Sequence, residues 1–301
     1  MSVIIDNVRY GKAVNLVGIV PLLRDAREQG YAVGAFNYCN MESAQAIIEV
    51  ADELKRPVIL ITGPWEIPLL GARALAGIAE FVAAEASVPV CLHLDHGDSI
   101  ELARECIEAG FPSVMIDASH YDFDENVRIT KAVVDIAHAV GVTVEGELGA
   151  VGQVDDSAVE GHAEATLTDP SRAAEFVEKT GVDALACAIG NAHGMYQQRP
   201  ELDFERLEAI QKAVGDTVVV LHGGSGTHPD QLKRAVGIGI AKVNVATELS
   251  RAYMNTICQA NEAKDGKAWW GHALVDAKAA LKPVVRKWML QLTSDAAPSK
   301  Y

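Results

Sequence analysis

Positive charge is scarce in this chain. Its 301 residues hold 26 Lys and Arg against 41 Asp and Glu, a formal net charge of −15. That balance argues against nucleic acid or an anionic membrane surface as partner. Long apolar runs are missing too, because the stretch Val14–Leu23 is too short to span a bilayer. It is preceded by weak positive charge, followed by Arg24-Asp25-Ala26-Arg27-Glu28, and lacks a small-residue cleavage site, so it does not read as a signal peptide. The five cysteines (Cys39, Cys91, Cys106, Cys187, Cys258) are odd in number, scattered and mostly within apolar runs. This favours reduced, buried thiols in a cytoplasmic protein over a disulfide framework. No Pro/Gly/Ser linker or low-complexity segment divides the sequence. A prior of ~150 residues per domain suggests two domains, but α/β barrels reach about 250 residues as one unit. The expectation is one domain over residues 1–301, with a loose tail over about 295–301.

What recurs is a strand followed by a helix. Short β-branched runs stand at Ala32–Asn37, Pro57–Thr62, Pro89–Asp95, Ser113–Asp117, Thr143–Leu148, Ala184–Gly190, Val218–Gly224 and Lys242–Thr247. Helical stretches between them include Glu42–Leu54, Ser99–Ala109, Glu125–Val140, Pro170–Thr180, Phe204–Val214 and Pro229–Val236. Thr168-Asp169-Pro170 opens one helix, and Gly181 and Gly215 close two others. Eight such units predict a parallel sheet closed into a (β/α)8 TIM barrel, with an extra helix over Val20–Gln29 before the first strand. The open doubly wound alternative more often carries GxGxxG after its first strand, and Gly34-Ala35-Phe36-Asn37 is not one.

A barrel of this kind builds its active site at the C-terminal ends of its strands. Polar residues gather there: Asp95-His96, Asp117, Glu145 and Glu147, Asn191-Ala192-His193-Gly194, His222, and Asn244 to Thr247. Polar side chains ending apolar strands are costly unless something requires them. A lone histidine is more often structural than a ligand. His96, His193 and His222, however, follow three different strands on one rim, and three imidazoles with an open position are the pattern of catalytic zinc. His93 lies two residues below Asp95 and faces inward, with a supporting hydrogen bond expected. His120, His138, His162, His228 and His272 fall in helices or loops and read as solvent-facing or packing residues. Asp95 admits two roles, orienting an imidazole or acting as general acid/base. Glu145, Glu147 and Asp117 admit three: an ion-pair cluster, a second metal site, or further acid/base groups. No basic partner lies near them in sequence. The turn Gly223-Gly224-Ser225-Gly226, ahead of a helix from Pro229, suits a phosphate held by backbone N–H groups, with Asn244 and Thr247 completing the site. Such a site also explains how an acidic protein holds an anion.

These segments resemble the class II, metal-dependent ketose-bisphosphate aldolases, in the fructose/tagatose-bisphosphate branch, from about Leu22 to Gln291. The carriers are Cys91 to Gly97, Ser113 to His120, Val144 to Gly149, Ala188 to Gly194, Leu221 to Gly226 and Lys242 to Leu249. The resemblance implies a lyase of carbohydrate metabolism, of the glycolytic kind. It would reversibly cleave fructose 1,6-bisphosphate or tagatose 1,6-bisphosphate to dihydroxyacetone phosphate and an aldehyde. It further implies zinc on His96, His193 and His222, Asp95 as catalytic proton carrier, and Asp117 with Glu147 as a second divalent position. Gly194, Gly223, Gly224, Ser225, Asn244, Val245, Ala246 and Thr247 match the dihydroxyacetone phosphate site. A monovalent cation (Na+ or K+) and a homodimer or homotetramer belong to the same pattern.

The sequence departs from that pattern at Gly152-Gln153, at Asn191, and over Asp265–Trp270, where the branch carries an arginine and tyrosines for the distal phosphate and Lys267 is the available substitute. The alternatives are an aldolase for a sugar-acid or deoxy-sugar phosphate, a Schiff-base aldolase, a metal-dependent hydrolase, and a non-catalytic sugar-phosphate binding protein. The first strand lacks the His-x-His of the hydrolases, and the ends of the fifth and sixth strands offer no lysine for a Schiff base.

Overall fold

Eight parallel strands close into a barrel in sequence order: β1 (Val33–Asn37), β2 (Val58–Thr62), β3 (Val90–Gly97), β4 (Ser113–Ile116), β5 (Thr143–Leu148), β6 (Ala184–Cys187), β7 (Val218–Leu221) and β8 (Ile240–Val245), which returns to pair with β1. The computed structural model describes residues 8–9, 12–13, 16–154, 165–195 and 201–292, so the tail expected over 295–301 lies outside the described residues. The strands are buried on both faces, which is why they read as nearly continuous apolar runs.

Around the barrel run α2 (Met41–Leu54), the short α3 (Ile67–Leu70), α4 (Ala72–Glu85), α5 (Ile100–Glu108), α6 (Phe123–His138), α7 (Pro170–Thr180), α8 (Phe204–Val214), α9 (Pro229–Ile238), α10 (Thr247–Glu262) and α11 (Trp270–Gln291). Their starts follow the local chemistry. Asn40 and Ser43 form a reciprocal capping box on α2, and Ser99, Asp122, Asp169 and Asp203 each accept a backbone N–H at the head of the next helix. Gly181 closes α7 in the left-handed conformation.

The expected extra helix is present as α1 (Ile19–Gln29). Its apolar face (Ile19, Leu22, Leu23, Ala26) packs with Val33, Ile59, Cys91, Val218, Val220 and Ala241, plugging the N-terminal end of the barrel. A second, larger core lies between strands and outer helices. The strands differ from the sequence reading at their ends. β4, β6 and β7 stop short of the ends expected for them, at Ile116, Cys187 and Leu221. β8 starts two residues early, which places Lys242 within the strand rather than at its start. Cys91, Cys106 and Cys187 are buried as expected, and burial pushes the Cys106 and Cys187 thiols up to about 12; Cys39 and Cys258 are exposed, contrary to expectation. No helix among the described residues is long and apolar enough to cross a membrane.

Candidate metal centre and phosphate pocket

Above the plug the barrel interior becomes polar in two storeys. His93 and Asp95 on β3, Glu145 and Glu147 on β5, and Lys242 and Asn244 on β8 are spaced by two residues, so each pair shares the inward face of its strand. Asp95, Glu147 and Asn244 occupy the upper storey, joined by His96, Asp117, His193 and His222 from the strand exits.

Simple alternation would turn His96 away from a site that Asp95 faces. The β3–β4 pairing shifts register between Leu94 and Gly97, and His96 sits at φ 45°. This left-handed kink is uncommon for a non-glycine residue and lets two consecutive side chains serve one site. Gly97 permits it, because a Cβ there would lie 2.4 Å from the Met115 carbonyl oxygen.

The three imidazoles converge: His96, His193 and His222 each offer a ring nitrogen within 4.8 Å of the others. His96 Nε2 lies 2.7 Å from His222 Nδ1. Their outer nitrogens are held by carboxylates, His96 Nδ1 at 2.9 Å from Asp117 Oδ2 and His222 Nε2 at 2.7 Å from Glu145 Oε1. Carboxylates behind imidazoles fix which nitrogen faces the centre. His96, Asp117 and Glu147 form a second group within the same 4.8 Å limit, and Glu147 Oε2 is buried without a hydrogen-bond partner. Asn191 links two of the exits, accepting from the Ile189 N–H and donating to the His222 carbonyl at 3.1 Å. Gly152–Gln153 pairs in parallel with Ala192–His193, steadying the segment that carries the third histidine.

The electrostatics favour positive charge in the upper storey. Burial opposes protonation of His96, but Asp95, Asp117 and Glu147 outweigh it and push the imidazole up to about 10. Burial also opposes ionisation of Asp95, yet His96, His222, Lys242 and His93 together hold it below its ordinary value. Burial and the neighbouring Asp117 push Glu147 well above the usual carboxylate range.

Of the three readings offered for it, Glu145 follows the ion-pair one. It pairs with Lys242 Nζ at 2.8 Å, both fully buried, and its other oxygen holds His222. The basic partner exists, but it arrives from β8, 97 residues away. His93 makes its supporting bond to Ser113 Oγ at 2.7 Å. Of the remaining histidines, His138 pairs with Asp183, His228 caps α9, His120 stacks on Tyr121 and His272 lies in α11, while His162 is outside the described residues.

Beside the imidazoles lies a small pocket lined by Asp95, His193 and Gly194, the Gly223–Ser225 turn, and Asn244, Ala246 and Thr247. Seven of the eight residues expected at a phosphate site therefore meet. Val245 does not line the pocket, because alternation along β8 sends its side chain into the outer core. The Gly224 N–H is already bonded to the Asn244 carbonyl and the Gly226 N–H to Glu248. Ser225, Thr247 and the N-terminus of α10 also line the pocket, a favourable place for an anion, and Ser225 Oγ accepts from the Glu248 N–H at 3.2 Å. Asp95 Oδ1 accepts from Asn244 Nδ2 at 2.7 Å, which fixes the carboxylate at the pocket edge.

A family model for class II fructose-bisphosphate aldolases matches residues 17–296. The chain belongs to this family. It is a lyase, and its fold agrees with that of solved class II aldolases. The YdjI aldolase from Escherichia coli K12 is 35% identical, with 94% of this chain and 100% of that chain covered at a TM-score of 0.80. A candidate fructose-1,6-bisphosphate aldolase from Coccidioides immitis is 32% identical over 92% and 96% of the two chains, with a TM-score of 0.81. The fructose-bisphosphate aldolase of Campylobacter jejuni, 22% identical over 94% and 97%, shares the fold at a TM-score of 0.77.

The exits of β1 and β2 carry residues of this class II aldolase that the sequence reading passed over. Asn37 Nδ2 donates to Glu66 Oε1 at 3.2 Å and the Gly63 N–H to Glu66 Oε2 at 2.8 Å, while the Trp65 ring lies 6.3 Å from that of His96. Burial raises the Glu66 carboxyl, and the charge of Asp95 adds to the shift. Lys267 lies exposed in the turn between α10 and α11, not in the pocket lining.

Proposed function

We propose that this aldolase uses a zinc ion held by His96, His193 and His222 to cleave fructose 1,6-bisphosphate or tagatose 1,6-bisphosphate reversibly to dihydroxyacetone phosphate and an aldehyde. The observation that carries the reading is the meeting of three imidazole nitrogens beside Asp95, at the edge of a pocket built from the loops after β7 and β8. The residues fit a divalent cation: two of the rings are oriented from behind by carboxylates, and the surrounding acids favour positive charge. Bound there, the cation supplies Lewis-acid polarisation of the ketone oxygen.

The protein's own groups do the rest. Ser225, Thr247 and the start of α10 hold the phosphate, which fixes the ketose relative to Asp95. In cleavage, Asp95 accepts the C4-hydroxyl proton. The C4–O bond gains double-bond character as the C3–C4 bond breaks, and that bond's electron pair stays on C3 of the dihydroxyacetone phosphate half, where a proton from water completes the product. In condensation Asp95 returns the proton. Asn244 keeps Asp95 aimed throughout. A second divalent position at His96, Asp117 and Glu147, a monovalent cation, a homodimer or homotetramer and a cytoplasmic location belong to the same proposal.

Glu66 favours a second reading. An acid this close to Asp95 suits an aldehyde without a second phosphate better than one carrying it. The test is to supply dihydroxyacetone phosphate with a panel of phosphorylated and unphosphorylated aldehydes and identify the products, before and after chelation. Activity lost with the chelator and restored by zinc supports the metal reading; full turnover in excess chelator sinks it. The preferred aldehyde decides between bisphosphate and monophosphate substrates, and no condensation with any aldehyde would favour a binding protein.

A further inference from the structure

Apart from Glu145 behind His222, the lower polar storey has no place in the chemistry above, yet it is costly to build. Lys242, Glu145 and His93 are 0% exposed. They occupy a level of the barrel that branched apolar side chains ordinarily fill. Burying an ammonium and a carboxylate together removes both from water, and similar volumes of apolar side chain are often as stable or more so. The arrangement is nevertheless well connected. Lys242 Nζ donates to Glu145 Oε2 at 2.8 Å and lies 3.4 Å from His93 Nε2, and His93 Nδ1 is 2.7 Å from Ser113 Oγ. Glu145 Oε1 lies 2.7 Å from His222 Nε2, and His222 Nδ1 faces His96 Nε2.

We propose that Lys242 is a positioning residue for the metal centre, acting through Glu145 to fix the orientation and tautomer of His222. By pinning one carboxylate oxygen, the lysine aims the other at His222 Nε2. An ionised carboxylate accepts and cannot donate, so Nε2 carries the ring proton and Nδ1 presents its lone pair to the centre. Ser113 holds His93 as the neighbouring wall, which leaves the ammonium one storey below the reacting atoms. The lysine therefore serves the metal without touching substrate.

This inference rests on His222 being a metal ligand, and the experiment separates the two. Zinc affinity is measured by competition with a chromogenic chelator, and the cobalt-substituted protein is examined by visible absorption, for wild type, Lys242→Met and His222→Ala. Expected for Lys242→Met is a zinc affinity about 10–100-fold weaker, with an altered cobalt spectrum. Wild-type affinity and spectrum in Lys242→Met, with only thermal stability lowered, would reduce the lysine to a structural role and overturn the proposal. If His222→Ala also keeps both, the metal-centre reading itself fails. Should Lys242→Met not fold, Glu145→Gln with Lys242→Met buries no unpaired charge and is read in its place; wild-type zinc affinity there overturns the proposal equally.

Discussion

His96 reaches the site through a left-handed backbone, and that one torsion angle explains how adjacent Asp95 and His96 share a purpose. Their proposed duties are separable. Asp95→Ala should leave zinc bound while lowering kcat by about 10²–10⁴, the usual worth of a positioned proton carrier; near-native turnover would remove Asp95 from the mechanism. His93 gives a prediction about pH. Burial lowers its pKa from 6.5 to about 3, with Lys242 adding to the shift. On acidification from about 6.5 the unfolded chain binds a proton that the folded chain refuses, so stability falls with falling pH. The slope from this group approaches about 1.4 kcal/mol per pH unit. Denaturant titrations at several pH values should show a shallower slope in His93→Gln, and an unchanged one would contradict the assignment. At this scale the sequence made the rim histidines and Asp95 legible, because polar residues after apolar strands stand out. It hid the partner of Glu145, since a side-chain contact between β5 and β8, which are not neighbours in the sheet, depends on closure of the barrel. The parity of Lys242 with Asn244 was the available clue.

Elements carry their own consequences. Gly223 has φ 62°, and a Cβ there would lie 2.1 Å from the Ala192 carbonyl oxygen, so the loops after β6 and β7 can approach only with glycine at this position. Gly223→Ala should push His193 and His222 apart, weakening zinc binding and raising KM for dihydroxyacetone phosphate together. Parallel zinc titration and steady-state kinetics would show it, and unchanged values of both would refute it. By contrast, Asn40→Ala removes the cap of α2, and should cost about 1 kcal/mol in thermal or denaturant unfolding with zinc affinity intact. The repeating strand and helix pattern was readable because burial on both faces of a parallel strand writes an unbroken apolar run. Strand ends were less readable. Whether a polar residue stays in the ladder or turns over the rim depends on a neighbouring strand, as with Asp117, whose N–H bonds to the Gly97 carbonyl just beyond β4.

For the whole molecule, the net charge of −15 opposes the approach of the phosphorylated substrate proposed for the pocket. Added salt should therefore raise kcat/KM at low ionic strength by screening this repulsion, most of the gain coming below about 0.15 M, where the Debye length shrinks to about 8 Å. A steady fall over that range would mean that local positive charge, rather than the global field, governs encounter.

The helix that stoppers the base of the barrel also imposes traffic rules. With the floor sealed, reactants and products share one doorway at the opposite rim. On the proposed reading the dihydroxyacetone phosphate fragment is anchored in the pocket beside the imidazoles, and the aldehyde enters after it. Cleavage should accordingly discharge the aldehyde first and the anchored fragment second, a sequence that product-inhibition patterns would display directly.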